Sequence, residues 1–161
     1  MRTQRTPPVE LEDPKVPVQA KLAALWAALM FVYIYVDILS LYQPGVIDGI
    51  RDGRVWDFDI SQTWAIGALA LMAIPILMAI LSLTLPARAN RATNLAVAAL
   101  YAVVSITNVI GETWPYYFGF AVGLELSLLV MIARQAWTWP RAHPRSTTGQ
   151  HTDRMRQLTT R

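Results

Sequence analysis

The sequence predicts an all-α protein: a transmembrane four-helix bundle with both termini in the cytoplasm. Three observations carry this expectation. Four apolar runs, at about 22–42, 62–85, 93–111 and 115–137, fill most of the 161 residues. Each holds about 20 residues, which at about 1.5 Å per residue crosses a hydrocarbon core about 30 Å thick. Hydrophobic residues make up 54% of the chain and charged residues 16%, a balance that suits several spans joined by short polar segments and leaves no room for a separate soluble domain. Finally, the basic residues alternate with the spans. Arg2, Arg5, Lys15 and Lys21 precede the first run, Arg88 and Arg91 separate the second from the third, and Arg134, Arg141, Arg145, Arg154, Arg156 and Arg161 close the chain. Between the first two runs Arg51 and Arg54 are outnumbered by Asp48, Asp52, Asp57 and Asp59, and the last connection carries no base. The positive-inside rule then places both termini and the middle connection in the cytoplasm, in a multi-pass protein of the cytoplasmic membrane. The net charge of +3 belongs to cytoplasmic edges beside anionic membrane lipid, and nucleic acid is not implied.

Residues 1–19 read as a disordered cytoplasmic arm, because Pro7, Pro8, Pro14 and Pro17 prevent a helix. No cleaved signal peptide is expected: this arm is polar, and the apolar stretch after it is too long for a signal core. The bundle occupies 20–140. In its first span Lys21 and Trp26 anchor the inner end, Tyr42 the outer end, and Pro44-Gly45 stops the helix. The outer loop 44–61 offers one amphipathic turn through Val46, Ile47 and Ile50, a turn at Asp52-Gly53, and then an alternating segment. That segment puts Trp56, Phe58 and Ile60 on one side, expected to lie rings-inward on the bundle mouth. Ser61 is a plausible N-cap for the second span. Pro75 falls in mid-span, where it bends the helix and frees a carbonyl. Pro86–Arg91 forms a tight turn that makes spans two and three antiparallel neighbours. Thr113-Trp114-Pro115 turns into span four, whose inner end carries Trp137, Trp139 and the closing Pro140. Residues 141–161 are a basic, disordered tail.

The chain has no cysteine, which removes thiol–disulfide chemistry and thiolate metal sites. His143 and His151 both lie in the tail, so neither a metal site nor a cofactor is expected in the bundle.

Two acids stand inside the spans without a base at the same depth: Asp37 and Glu125. An ionised acid at the membrane centre costs about 2.5–3.5 kcal/mol on insertion scales, so an intramembrane carboxylate is the default place to look for function. Helical spacing groups other polar residues with them. Trp26, Met30, Tyr33, Asp37 and Ser40 share one face of the first span; Asn94, Ala98, Tyr101, Ser105, Asn108 and Glu112 share one face of the third; Tyr117, Ala121, Glu125 and Leu128 share one face of the fourth. One outward-opening pocket would gather Tyr33, Asp37, Ser40, Tyr101, Asn108, Glu112 and Glu125 as ligand-binding residues. The bland alternative is that these groups bond only one another and hold the bundle together. For Asn94, Ser105 and Tyr101 that alternative is the better one; for the two acids function is favoured, since an amide or hydroxyl would serve packing at lower cost. With nothing basic beside them, the neutral forms are favoured at rest, and the pocket suits protons or a cationic or hydroxylated ligand rather than an anion. Gly119, Gly123 and Ser127 form a small-residue stripe on another face of span four, suited to a close helix contact and to a homodimer.

The stretch Met30-Phe-Val-Tyr-Ile-Tyr-Val-Asp37-Ile-Leu-Ser-Leu, followed by Pro44-Gly45 and by Leu85-Pro-Ala-Arg-Ala-Asn-Arg91, resembles an uncharacterised family of small bacterial four-helix membrane proteins, itself similar to the DoxX-like group. The resemblance spans about residues 20–140 and implies the four-helix fold without an assigned activity. Asp37 and Glu125 match acids expected in that family. A further glutamate expected just before the Ile-Pro of span two is absent here, where Ala73 precedes Ile74-Pro75. Small multidrug exporters are similar only in having four spans and a membrane glutamate, which is analogy alone.

Three functions fit these features. The leading one is an accessory protein of the cytoplasmic membrane that binds a small lipid-like or cationic ligand in an outward-facing acidic pocket. The second is a proton-coupled small transporter using Asp37 and Glu125, although no inverted repeat supports it. The third, an enzyme, is less favoured: a membrane-embedded isomerase using the two acids as acid and base.

Overall fold

The computed structural model describes residues 15–55, 58–110 and 112–139. Residues 1–14 of the arm expected at 1–19 and the whole tail expected at 141–161 lie outside the described residues, as do Trp56, Asp57, Gly111 and Pro140, whereas the last two residues of the expected arm belong to α1. In chain order the elements are α1 (Val18–Ser40), α2 (Val46–Arg51), β1 (Arg54–Val55), β2 (Phe58–Asp59), α3 (Gln62–Thr84), α4 (Ala87–Thr107) and α5 (Pro115–Trp137). Three of them, α1, α3 and α5, are long and apolar enough to cross a membrane. Each has 23 residues, about 34 Å of helix.

The helix boundaries follow from local chemistry. Pro17 precedes the first turn of α1, and Gly45 leads into α2 with a φ of 84°, in the left-handed region that glycine adopts without strain. Val46, Ile47 and Ile50 do sit on a short helix, but they leave their side chains exposed or half-buried. Ser61 caps α3 as expected: its Oγ accepts the Trp64 N–H at 3.1 Å. Pro115 occupies the first turn of α5, where a missing N–H costs nothing.

Two expectations are corrected. The sequence places the third apolar run at about 93–111, whereas α4 runs from Ala87 to Thr107. Its first turns carry Arg88, Asn90, Arg91, Thr93 and Asn94, so the helix begins in polar sequence. Pro86 sets the start, and α4 has too little continuous apolar length to rank with the other three. The alternating segment also differs. It folds back on itself as a two-strand hairpin, pairing Arg54 with Asp59 and Val55 with Phe58. Ile60 N–H closes it onto the Gly53 carbonyl at 2.8 Å. Phe58 and Ile60 are exposed rather than turned inward.

The helices pack in a defined order: α1 lies against α3 and α5, α5 against α4, and α3 meets α4 at the turn that joins them. Large side chains also bridge α1 and α4. Trp26 and Tyr101 meet edge to face with ring centroids 6.3 Å apart, and Tyr33 meets Tyr101 at 6.3 Å. Trp26 reaches Asn94 and Tyr33 reaches Ser105. Residue numbers rise together along both helices, so α1 and α4 run parallel. Leu22, Trp26, Leu29, Tyr33, Met78, Ala98, Tyr101, Leu129, Ile132 and Ala136 make the core. Outward faces carry exposed Phe31, Ile66, Leu69, Ile80, Val103, Phe120 and Val130, an apolar girdle larger than a protein keeps in water.

Candidate functional site

The interior holds two polar clusters at different heights, and only one of them is closed. The closed cluster lies toward the end that carries Arg88, Arg91 and Arg134, here termed the basic end. Asn94 sits at its centre. Its Oδ1 accepts from Trp26 Nε1 at 2.7 Å and from Ser82 Oγ at 3.3 Å, while its Nδ2 donates to the Asn90 carbonyl at 2.8 Å and to Asn90 Oδ1 at 2.6 Å. Asn90 Nδ2 in turn donates to the Ser82 carbonyl at 2.6 Å. All four residues are fully buried. Every donor and both lone-pair directions of the Asn94 amide are used, which leaves no valence for a ligand. This cluster ties α1, α3 and α4 together. Sequence reasoning misses Asn90 and Ser82; the Asn90–Asn94 spacing of four is the signal for Asn90 once α4 starts at Ala87, and no spacing on α4 points to Ser82 of α3.

The second link between helices starts at Pro75. A proline has no N–H, so the carbonyl four residues earlier, that of Leu71, has no helical donor. The Tyr101 hydroxyl supplies one, donating to the Leu71 carbonyl. Tyr101 is thereby spent on structure, on the carbonyl that the proline was expected to free.

The open cluster is built around Glu125. Ten residues into α5, about 15 Å from its start, this side chain is 3% exposed. Its Oε2 is buried and has no hydrogen-bond partner. Ser105 of α4 stands beside the carboxyl, and the Ser105 Oγ shares a hydrogen bond with Tyr33 Oη of α1 at 3.1 Å. Tyr117 Oη donates to the Val36 carbonyl at 2.9 Å, holding α5 to α1 one residue before Asp37. A buried polar atom without a partner is uncommon in a native fold and asks for an explanation. Here it is one oxygen of an acid, flanked by hydroxyls that can donate or accept.

The remaining site candidates fall differently. Asp37 stands three residues before the end of α1 and is exposed. Ser40 Oγ donates to the Asp37 backbone carbonyl at 2.7 Å, within its own helix and away from the carboxylate. Asn108 is exposed at the C-terminal cap of α4, where its N–H returns to the Val104 carbonyl. Glu112 lies half-buried in the α4–α5 connection, and burial raises its carboxyl above the ordinary range. Tyr33 and Ser105 are therefore joined beside Glu125 and Tyr117 is held next to Asp37 in the chain, whereas Ser40 bonds its own helix and Asn108 ends α4. Tyr117 was recognised in the sequence only as a face-mate of Glu125; its proximity to Asp37 depends on how α1 meets α5. Gly119 and Gly123 face outward, and a Cβ added at either would meet nothing within 4 Å. The Ser127 hydroxyl bonds back to the Gly123 carbonyl at 2.7 Å. Among the described residues no group of three or more His, Asp or Glu side chains is placed to hold a metal ion.

A model for a family of unknown function, DUF6326, matches residues 13–146. No curated protein and no solved structure matches the chain.

Proposed function

We propose, from the premise that the chain belongs to this family of unknown function, that the protein is a small binding protein of the cytoplasmic membrane. In this reading α1, α3, α4 and α5 form a transmembrane four-helix bundle of DoxX-like kind, with the basic end in the cytoplasm. Its ligand is small and lipid-like, with a cationic or hydroxylated head. The observation that carries the reading is the buried, unpartnered Oε2 of Glu125. An ammonium or hydroxyl hydrogen would fill that valence. Tyr33 and Ser105 would complete the ligand's remaining hydrogen bonds, and Asp37 would hold the entrance. An anion is disfavoured, because among the described residues no base stands at that height to neutralise it.

The test uses four probes that share one tail: dodecylamine, dodecanol, dodecanoate and dodecane. Each is added to the purified full-length protein, and its melting temperature is read. The amine and the alcohol raise it in a saturable way, and dodecanoate and dodecane do not. A ligand at one hundred times its dissociation constant stabilises by about 2.7 kcal/mol, a shift of several degrees. Equal shifts from all four probes would mean nonspecific partitioning and would end this reading.

A further inference from the structure

Away from Glu125, an open groove of about 340 Å³ runs between α4 and α5 at the basic end. Its volume falls at the lower limit of small-molecule sites, about 300–1,000 Å³. Leu95 of α4 and Val130, Ala133, Arg134, Trp137 and Thr138 of α5 and its end line it with apolar surface. Arg91 leans over that same end: its guanidinium carbon lies 4.9 Å from the centre of the Trp137 ring. Helical spacing explains the arrangement. Arg91 and Leu95 are four apart on α4, and Val130, Arg134 and Trp137 follow at four and three on α5. The antiparallel helices bring the two rows face to face. The result is a shallow groove with an apolar lining, the Arg91 guanidinium beside its Trp137, Arg134 among its lining residues, and an indole where such rings favour the membrane interface.

Among the described residues neither Arg91 nor Arg134 forms an ion pair. The described acids other than Glu125, namely Asp37, Asp48, Asp52, Asp59 and Glu112, all belong to the opposite end of the helices. Thr138 cannot serve as a strong donor, since its hydroxyl is already bonded to the Arg134 carbonyl at 2.8 Å.

We infer that this groove is a binding site for one anionic phospholipid, its acyl chain along Leu95, Val130 and Ala133 and its phosphate between Arg91 and Arg134. The shape takes a chain and the end takes a negative headgroup. A zwitterionic lipid would bring its own cation to two guanidiniums. A planar guanidinium pairs with phosphate oxygens through two parallel hydrogen bonds. The site is independent of Glu125 and does not rest on the function proposed for it.

The test loads full-length protein in mild detergent with an equimolar mixture of phosphatidylglycerol and phosphatidylcholine, and reads the ratio of bound lipids by native mass spectrometry. The wild type retains one phosphatidylglycerol in preference. Arg134→Gln weakens that preference about fivefold, the effect expected of one basic side chain near the surface. Ala133→Trp fills the groove without altering any charge and lowers it as well; should that variant fail to fold, Val130→Trp on the exposed wall replaces it. Arg88→Gln removes a charge at the same end but outside the groove and leaves the preference intact. Equal retention of the two lipids by the wild type would overturn the inference. So would an Arg88→Gln loss as large as that of Arg134→Gln, which would reduce the effect to a general field. Displacement of the lipid by inorganic phosphate alone would show that the apolar slot adds nothing, and would overturn it too.

Discussion

Tyr101→Phe isolates one atom of the fold. The ring keeps its edge contact with Trp26 and its tilted contact with Tyr33, and only the hydroxyl that serves the Leu71 carbonyl is lost. That carbonyl has no backbone donor because residue 75 is proline. In an apolar surrounding no water replaces the bond. Interhelical hydrogen bonds in membranes average about 0.6 kcal/mol, with a maximum of about 1.7. This one leaves an orphan behind, so the upper part of that range is expected, at about 1–1.7 kcal/mol. The decisive partner is Pro75→Ala, which restores an N–H aimed at Leu71. Pro75→Ala has its own cost, since Pro75 is fully buried and a smaller side chain leaves a void. That cost cancels in a double-mutant cycle. Unfolding by SDS titration of all four proteins should give a coupling of about 1 kcal/mol, the tyrosine change being nearly silent once alanine occupies position 75. Equal losses from Tyr101→Phe in both backgrounds would refute the link between the proline and the hydroxyl.

Other outcomes follow from the same structure. Asn94→Leu breaks four hydrogen bonds at once and strands Trp26 Nε1 and Ser82 Oγ in the interior; it should lower stability by more than about 2 kcal/mol in the same titration, well beyond the effect of Thr93→Val. Asp59→Asn, which removes an exposed ion pair of 3.8 Å, should leave the melting temperature unchanged, because exposed pairs contribute little. Gly45→Val should destabilise through its left-handed φ of 84° even though nothing lies within 4 Å of the added carbon. Cysteines introduced at Asp52 and at Ala89 should react differently with an impermeant thiol reagent on intact cells, position 52 labelling and position 89 not; the reverse pattern would invert the proposed orientation.

The long elements were legible because their signal is one-dimensional. A run of apolar residues reports a helix such as α1, α3 or α5 whatever packs against it. α4 was misplaced at both ends for the complementary reason: the helix continues into Arg88–Asn94, and a membrane-length apolar window does not see polar turns. The interior polar residues were found by period, and period fixes a direction but not a partner. It put Tyr33 and Ser105 on facing stripes, where they bond. It also put Ser40 and Asn108 on those stripes, where one bonds its own backbone and the other caps a helix. Pro75 announced a free carbonyl, yet nothing local names Tyr101 as its donor, 30 residues away. The hairpin pairing of Arg54 with Asp59 was hidden because an alternating segment reads alike whether it lies on a neighbour or turns upon itself. Glu125 stood out in the sequence as an acid without a base. Its missing hydrogen bond required the surrounding helices.

The most direct test of the central claim is the affinity of dodecylamine for the full-length wild type, Asp37→Asn and Glu125→Gln in lipid nanodiscs. Both amides preserve size and hydrogen-bonding capacity, so all three proteins should fold and melt alike. A hydrogen bond to a charged group is worth about 1.5–3 kcal/mol, so Glu125→Gln should weaken binding by roughly tenfold to a hundredfold. Asp37→Asn, which acts at the exposed entrance, should weaken it less. Unchanged affinity in the folded Glu125→Gln protein would contradict a ligand site at that carboxyl and leave Glu125 with a purely structural task.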